Sequence, residues 1–333
     1  MTNVQNEPSS EAFLAVVIVN WNTRHDLMVC LSSCRRAEIA LPHQIWVVDN
    51  ASSDGSADAV LQSFPEVQLL RAPENLGFAA GNNLALEKIR ATYVLLLNPD
   101  TIVSHRQIET LVAHLEEHPE VGVVGPRLVY EDGSFQLSAM PFVRPADLYW
   151  EHARFPAFLQ PAAQRRPRRL YVFPEREARD VEMVIGAVLL IRGAVIAKVG
   201  LLDPAFYMYA EEMDWCFRVW QAGYRVQWLP TACVTHIGGR AAAHVPLPTL
   251  SYRFASTLRF LNKHFGATAV RQARALLALA ALQNAILATL LRTLGRIDRA
   301  VWRRTLRENQ VVLMTALRGR AVECGHQNSR ELL

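Results

Sequence analysis

The segment Tyr93–Thr101 reads Tyr-Val-Leu-Leu-Leu-Asn-Pro-Asp-Thr, and it decides the fold class. Its uninterrupted apolar run predicts a strand buried on both faces within a mostly parallel sheet. The run stops at Asn98, Pro99 and Asp100, which places polar side chains at the carboxyl end of the strand, where open α/β sheets bind ligands. A carboxylate there can bind a hard divalent cation that also binds substrate phosphates. Taken alone, the tripeptide more often marks an ordinary turn.

Length and composition indicate a large folded enzyme domain. The chain has 333 residues, of which 51% are hydrophobic, so it can bury a sizeable core in one domain with an appendage. Its five cysteines are odd in number and lack C-x-x-C spacing, which favours reduced thiols in the cytosol over disulfides or structural zinc. The first eleven residues lack the features of a signal peptide, and we expect no export signal there.

The basic residues are unevenly distributed, although the formal net charge is only +4. One arginine cluster lies within residues 165–169, and a larger one runs from Arg292 to Arg307 beside an apolar stretch. This pattern predicts attraction to an anionic surface. A membrane leaflet suits the apolar neighbour better than nucleic acid, for which no motif is present.

The segments before the central strand predict a βαβ unit. Apolar strands are expected at Leu14–Val19 and Ile45–Val48, with an intervening helix that begins after Thr23 in a spacing resembling a capping box. Polar residues able to hydrogen-bond a nucleotide follow both strands, including Asn22 after the first and Asp49 at the end of the second. The first strand is not followed by G-x-G-x-x-G, which argues against a nicotinamide or flavin enzyme.

Two further segments could contact a ligand. A third strand at Val67–Leu70 precedes a glycine-containing helix start, where Gly77 and Gly81 would let the backbone approach a phosphate. An ordinary helix start explains the same glycines equally well. Residues 140–180 lose all periodicity and fill with Pro and Arg, which makes them a candidate acceptor-side loop.

Three acids open a predicted helix at residues 211–220. Glu211, Glu212 and Asp214 could simply favour the helix dipole. Their clustering among aromatic residues instead favours a general base, with a pKa raised by like charges and desolvation. His236 lies beside glycines that would let it approach a metal or phosphate, although a lone histidine is more often structural.

Taken in order, these motifs resemble family 2 glycosyltransferases, and most closely the bacterial rhamnosyltransferase-like branch that builds O-antigens and other surface polysaccharides. The resemblance covers about residues 14–239. It implies a GT-A fold, that is, a Rossmann-like, mostly parallel central α/β sheet with flanking helices. It also implies a nucleotide-diphosphate-sugar donor, Mg²⁺ or Mn²⁺, and inversion of the anomeric carbon. The motifs are Asn20-Trp21-Asn22, residues 47–55, residues 75–83, Leu96–Asp100, Gly186-Ala187, the helix from Glu211 to Arg218, and His236.

The resemblance implies roles for individual residues. Asp100 matches the last acid of the family's D-x-D metal motif, His236 matches a further metal or diphosphate contact, and Glu212 matches the base, with Glu211 before it and Asp214 after it. Two departures leave questions open: Asn98 replaces the first acid of D-x-D, and Glu212 is longer than the family's Asp, so either Glu211 or Glu212 could face the acceptor. The implied donor-binding residues are Asn22, Asp49, Asn50, Asn75, Gly77, Asn82 and Asn98.

The carboxyl-terminal region predicts helices that lie on a membrane. Residues 251–265 and the stretch from Ala267 onward form two predicted helices, and the apolar run 275–291 is slightly short for a span, contains two amides and is flanked by arginines. An interfacial helix is therefore preferred to a core helix or a span. The expected organisation is a flexible amino terminus at 1–12, a GT-A domain at 13–245 and a helical region at 246–333.

The sequence as a whole predicts an inverting hexosyltransferase of polysaccharide or cell-wall synthesis, with rhamnose as the suggested sugar. We expect a saccharide or lipid-linked saccharide acceptor, no nucleic-acid partner, and a cytoplasmic protein peripheral on the inner face of the cytoplasmic membrane; a homo-oligomer is left open. An alternative is an inactive family member that binds nucleotide or a partner protein at the membrane. A nucleotide-sugar oxidoreductase is disfavoured by the missing glycine fingerprint.

Overall fold

The computed structural model of the chain describes residues 12–154, 177–238 and 246–319. The amino-terminal residues 1–11, the arginine cluster at 165–169 and most of the candidate acceptor-side loop lie outside these ranges. Within them the strands are β1 Ala12–Asn20, β2 His43–Asp49, β3 Gln68–Arg71, β4 Ala91–Leu97, β5 Thr101–Ile102, β6 Val121–Val129, β7 Phe135–Gln136, β8 Ala139–Met140, β9 Arg179–Asp180, β10 Met183–Val184, β11 Val188–Arg192 and β12 Arg225–His236.

The helices either flank the sheet that these strands form or follow it in the chain. The helices are α1 Arg24–Arg36, α2 Ser56–Ser63, α3 Gly77–Leu86, α4 Gln107–Glu117, α5 Pro145–His152, α6 Gly193–Val199, α7 Glu211–Gln221, α8 Pro246–Thr293 and α9 Arg299–Arg318.

The central sheet has a parallel half and a mixed half. Its order is β3-β2-β1-β4-β11-β6-β12-β5, with β7 beside β6 and β9 beside β12. Strands β3, β2, β1 and β4 are parallel, which confirms the predicted βαβ unit, and Asn20 pairs with Asp49 so that the carboxyl ends of β1 and β2 coincide. β4 is buried from Tyr93 to Leu97 and lies between β1 and β11 in the interior of the sheet. The Rossmann-like α/β architecture is therefore as expected.

The mixed half corrects one expectation. The sequence of residues 224–229 predicts an edge-like strand, but β12 is twelve residues long and pairs with β6 on one side and with β5 and β9 on the other. Its polar residues interrupt the apolar pattern that an interior strand usually shows. They are tolerated there because they are hydrogen-bonded, as Gln227 is to His114 and Asp180.

The expected capping box at α1 is also wrong. Thr23 makes no side-chain cap and instead donates from Oγ1 to Asn20 Oδ1 at 2.7 Å. The free backbone N–H of Arg24 donates to Asp54 Oδ2 at 2.8 Å, and Asp54 Oδ1 accepts from the backbone N–H of Ser56 at 3.0 Å. One carboxylate from the β2–α2 loop thus serves the starts of both α1 and α2.

The chain divides into two compact units. The first holds the central sheet with α1–α4, α6 and α7, and the second holds α8 and α9 together with residues 143–154 and 206–210. The expected boundary at residue 246 therefore misses two segments of the second unit. α5 belongs there because Leu148 is buried and because Asn284 of α8 donates to the carbonyl of His152 at 2.9 Å.

Within the second unit, α8 breaks at Gly266, where φ is 77°, between the two helices expected from the sequence. In the described part of the chain, one helical stretch, Thr249–Thr293, is long and apolar enough to cross a membrane, judged by length and composition only. The amides that interrupt its apolar run are both satisfied, since Gln283 bonds to Tyr149 and Asn284 to Asn309.

Candidate active site

The turn Asn98-Pro99-Asp100 is held in place by its neighbours. The backbone N–H of Asn98 donates to the carbonyl of Ala187 at 2.9 Å, and the Asn98 carbonyl accepts from Thr101 Oγ1 at 2.7 Å. The chain then enters β5, where Thr101 pairs with His236 at the end of β12. Two segments far apart in sequence are thereby joined at one edge of the sheet.

This pairing brings the two predicted metal ligands into contact. Asp100 Oδ1 lies 3.2 Å from His236 Nε2, and Asp100 Oδ2 accepts from the backbone N–H of Gly238 at 3.1 Å. Burial alone would raise the pKa of Asp100, but the hydrogen bond and charge of His236 outweigh it and lower that pKa below its ordinary value. Asp100 is therefore an anion.

The other ring nitrogen of His236 faces Gln136, a residue that sequence reasoning missed. His236 Nδ1 lies 2.8 Å from Gln136 Oε1, an arrangement that makes Nδ1 the donor in the neutral ring. Nε2 faces a carboxylate oxygen of Asp100, so it either carries a proton that it donates to Asp100 or shares a cation with it. Metal-binding histidines are oriented in this way by a second hydrogen bond. No sequence signal marks Gln136, because β7 is only two residues long.

The donor set fits a hard divalent cation bound in part by substrate. Adjacent ligands at about 2.1 Å from an octahedral ion lie roughly 3 Å apart, close to the Asp100–His236 separation. Within the described ranges no group of three or more His, Cys, Asp or Glu side chains could hold a metal ion. Asp100 and His236 would thus leave most coordination positions to phosphate oxygens and water, as Mg²⁺ sites do.

Asp49 presents an unpaired acceptor at the carboxyl end of β2. Its side chain is buried, Oδ2 accepts from the backbone N–H of Ser52 at 3.3 Å, and Oδ1 is buried without any hydrogen-bond partner. A buried carboxylate oxygen left unpaired is costly and suits an N–H donor from a ligand.

The amides predicted to bind donor have protein partners. Asn50 Nδ2 donates to Asn75 Oδ1 at 2.9 Å and to the Gly77 carbonyl at 3.1 Å, while Asn50 Oδ1 accepts from the backbone N–H of Leu76 at 3.0 Å. Asn82 Nδ2 donates to the carbonyl of Phe78 at 2.9 Å. These bonds link the end of β2 to the start of α3. Donor contacts by Asn50, Asn75, Gly77 and Asn82 stay predictions.

Asn22 and Asn98 differ in their surroundings. Asn22 has a positive φ of 52°, and its Oδ1 accepts from the backbone N–H of Ser53 at 2.7 Å, so it positions the loop after β2. Asn98 is partly exposed at the end of β4, beside Asp100. Their contacts with a donor also stay predictions.

Glu211 and Glu212 are unsatisfied acids at the start of α7. The Oε2 atom of each is buried and has no hydrogen-bond partner. Burial, reinforced by the charge of Glu212, raises the pKa of Glu211 well above its ordinary value. Burial also raises the pKa of Glu212, although backbone N–H groups, including that of Gly186, oppose it. Because the two buried carboxyls repel each other when both are ionised, they titrate as one coupled pair.

Asp214 has a structural environment. It is fully buried and pairs with Arg218, whose Nε lies 2.9 Å from Asp214 Oδ2. Arg218 also donates to the carbonyls of Val199 and Leu201. A catalytic role for Asp214 stays a prediction, while its visible contacts hold α7 against the end of α6.

Residues Gly186 and Ala187 lie between Glu212 and the Asn98–Asp100 turn. A Cβ at Gly186 would lie 3.7 Å from Glu212 Cδ, and Ala187 bonds to Asn98 as described. One dipeptide thus adjoins both Glu212 and the Asn98–Asp100 turn.

Known proteins resemble this chain in sequence and in fold. The family model "Glycosyl transferase family 2" matches residues 15–170. The chain is 28% identical over 270 residues to an N-acetylglucosaminyl-diphospho-decaprenol L-rhamnosyltransferase of Mycobacterium tuberculosis, covering 76% of this chain and 85% of the relative. It is also 23% identical to rhamnosyltransferase WbbL of Escherichia coli, over 56% of this chain and 70% of that protein.

A solved structure supports the GT-A architecture. The mannosyltransferase PcManGT from Pyrobaculum calidifontis, determined in complex with GDP-Man and Mn²⁺, superposes with a TM-score of 0.52 at 17% identity, over 95% of this chain and 88% of that one. The matched domain, the relatives and the fold agree with the ordered motifs: residues 15–170 form a glycosyl transferase family 2 domain, and the chain is similar to rhamnosyltransferases.

Proposed function

We propose that the chain is a metal-dependent, inverting glycosyltransferase that moves a sugar from a nucleotide-diphosphate sugar to a hydroxyl group of a saccharide or lipid-linked saccharide. The observation that carries this proposal is the segment Gly186–Ala187, which borders Glu212 on one side and binds the Asn98–Asp100 turn on the other. The proposed base, Glu212, and the turn that carries Asp100, which can bind a cation, thus lie on either side of one short segment.

Glu212 would act as the general base. Its raised pKa brings it nearer neutrality, and its unpaired Oε2 can accept the proton of an acceptor hydroxyl as that oxygen attacks the anomeric carbon. The like charges of Glu211 and Glu212 disfavour ionisation of both acids at once. A single displacement of this kind inverts the anomeric carbon and needs no covalent enzyme intermediate.

Asp100 and His236 would bind the cation and the diphosphate end of the donor. A bound Mg²⁺ or Mn²⁺ supplies positive charge to the diphosphate leaving group. Mn²⁺ is present in the similar mannosyltransferase structure, and the carboxylate of Asp100 suits either ion.

Asp49 would select the nucleobase. Its unpaired Oδ1 requires an N–H donor, which uracil, thymine and guanine carry on the ring. A thymidine-diphosphate donor with rhamnose agrees with this requirement and with the rhamnosyltransferase names of two relatives. The lipid diphosphate named in the mycobacterial relative supports an acceptor of the same class.

The proposal is tested by nucleoside-diphosphate release from a panel of nucleotide sugars with Mg²⁺ or Mn²⁺ and saccharide acceptors. We expect one donor to be consumed, and Asp100→Ala and Glu212→Gln each to lower the rate by about 10²–10⁴-fold. Asp132→Asn and Glu116→Gln, which alter exposed acids, serve as matched controls. Retained turnover in either site variant would refute the assigned roles.

An inactive nucleotide-binding member is the second candidate, because Asn98 stands where the family motif has an acid. Calorimetry with the nucleoside diphosphates separates the two candidates. Binding without turnover of any donor, and with Glu212→Gln indistinguishable from the wild type, would favour the inactive member.

A further inference from the structure

The second unit leaves a row of large apolar side chains uncovered on α8. Leu279, Leu282, Ile286 and Leu290 are between 49% and 70% exposed. Their spacing of three or four residues places them on one face of the helix. Single exposed apolar residues are ordinary, but a continuous row marks an interaction surface. We call these four residues the apolar row.

Exposed arginines stand at both ends of the apolar row. Arg271 lies two turns before Leu279 on the same helix. At the other end, Arg292 and Arg296 alternate with Leu290 and Leu294, and all four side chains are exposed. Apolar and cationic groups are therefore interleaved where α8 turns towards α9.

Positive charge is concentrated in the same carboxyl-terminal helices. Residues 246–318 contain twelve Lys and Arg but two Asp and Glu, a net charge of +10, whereas the remaining residues contain 23 basic and 29 acidic side chains, a net charge of −6. The modest charge of the whole chain hides a strongly basic helical region. Such a region is attracted to anionic lipid head groups.

The basic residues of α9 are largely free to meet an external anion. Arg299, Arg303 and Arg307 are exposed and recur every four residues. Among the described residues of this unit, ion pairs are formed by Arg154, Arg253 and Arg304 but by none of these three.

The contacts made by the opposite face of α8 argue against insertion of α8 and α9 into the hydrocarbon core of a membrane. Asn284 is buried and bonds to the backbone N–H of Arg154 at 2.7 Å and to Asn309 of α9 at 3.1 Å. α8 is thus fastened to α5 and to α9, and a transmembrane α8 would draw the arginines of α9 into hydrocarbon at a cost of several kcal/mol. A helix lying in the interface keeps them among head groups.

We propose that the apolar row and the flanking arginines form a docking surface for an anionic lipid bilayer, with α8 lying in the plane of the head groups. The proposal goes beyond the transferase function and does not depend on it, because binding to lipid requires neither donor nor turnover. Its chemistry is that of interfacial helices, which combine apolar burial with attraction between arginine and anionic lipid.

Flotation of the full chain with vesicles tests this surface. We expect binding to vesicles of phosphatidylcholine with phosphatidylglycerol and much weaker binding to phosphatidylcholine alone. Leu282→Gln with Ile286→Gln should lower the partition coefficient on the order of 100-fold. Arg292→Gln with Arg296→Gln should lower it roughly 30-fold on the anionic vesicles only.

Matched controls use exposed residues of the first unit. Leu61→Gln changes a side chain that is 53% exposed on α2, and Arg36→Gln with Arg106→Gln removes two exposed charges; both should bind as the wild type does. Circular dichroism and Tm verify that every variant is folded.

Three results would overturn the proposal. The first is equal vesicle binding by the Leu282/Ile286 variant and the Leu61 control. The second is retention on membranes after alkaline carbonate extraction, which would indicate a span. The third is that the wild type forms a dimer and does not bind vesicles, while the Leu282/Ile286 variant is a monomer. This result would assign the apolar row to contact with a second copy of the chain.

Discussion

Several residues of the candidate site have a buried carboxylate oxygen without a hydrogen-bond partner. Five buried side-chain polar atoms in the described part of the chain have no hydrogen-bond partner, and three of them are the carboxylate oxygens of Asp49, Glu211 and Glu212. Buried acceptors are normally paired, because an unpaired one costs roughly 1–3 kcal/mol. The concentration of unpaired acceptors on residues that the sequence had already selected supports a ligand-binding role.

The pH dependence of the rate should identify the base. A carboxylate accepts a proton only when ionised, and the pKa of Glu212 is raised, so kcat/KM should rise with pH through a value above 4.5. Glu211→Gln should keep this limb of the profile, whereas Glu212→Gln should lose it and lower the rate at every pH. The opposite pattern, with Glu212→Gln active and Glu211→Gln inactive, would assign the base to Glu211.

The same two acids should lower stability at high pH. Folding raises both pKa values, so above 4.5 the folded chain holds protons that the unfolded chain has released, and the free energy of unfolding falls as pH rises. Glu211→Gln removes one titrating group and should flatten the decline of Tm between about pH 5 and pH 8, by an equivalent of roughly 1–3 kcal/mol. Glu116→Gln, on an exposed face, is the control, and a slope shared by all three proteins would contradict the expectation.

At the scale of elements, very short strands set the geometry of the site. β5 and β7 have two residues each, yet β5 places Asp100 beside His236 and β7 carries the Gln136 that orients the imidazole. Periodicity cannot reveal a two-residue strand, since one alternation is not a pattern. The long strands and helices were predictable because each repeats its period several times.

The start of α6 offers a sharp test of element packing. A Cβ added at Gly193 would lie 2.1 Å from the carbonyl oxygen of Ala91 in β4, and backbone cannot yield as a side chain can. We expect Gly193→Ala to lower the free energy of unfolding by about 2–4 kcal/mol, measured by urea denaturation. Gly133→Ala, in an open turn with φ of 77°, should lose only about 1 kcal/mol. Equal losses in the two variants would show that α6 shifts freely.

At the scale of the whole molecule, the units are not consecutive pieces of sequence. Residues 143–154 precede the last strands of the sheet but pack with α8 and α9, and Leu148 of α5 is 1% exposed. A carboxyl-terminal deletion that follows the apparent boundary would therefore strip α5 of its partners.

Truncation tests this division. A chain ending at residue 245 should expose the apolar face of α5, bind a hydrophobic dye and aggregate on heating, because the helices that cover Leu148 are missing. A chain ending at Gly319, just after α9, should keep the wild-type Tm. A soluble, cooperative chain of 245 residues with no dye binding would contradict the assignment of α5 to the second unit.

The sequence by itself determined the α/β class and the order of the long elements, and it predicted the candidate acids of the site. It could do so because burial imposes a period on each strand and helix, and because Asp100, Glu212 and His236 stand in an ordered set of motifs. Only the tertiary structure decided that Asp100 meets His236, that Asp54 caps two helices, that Asn50 is occupied by its neighbours and that α5 joins the carboxyl-terminal unit. Each of these depends on pairing between segments far apart in the chain, and local pattern carries no information about which distant segments will pair.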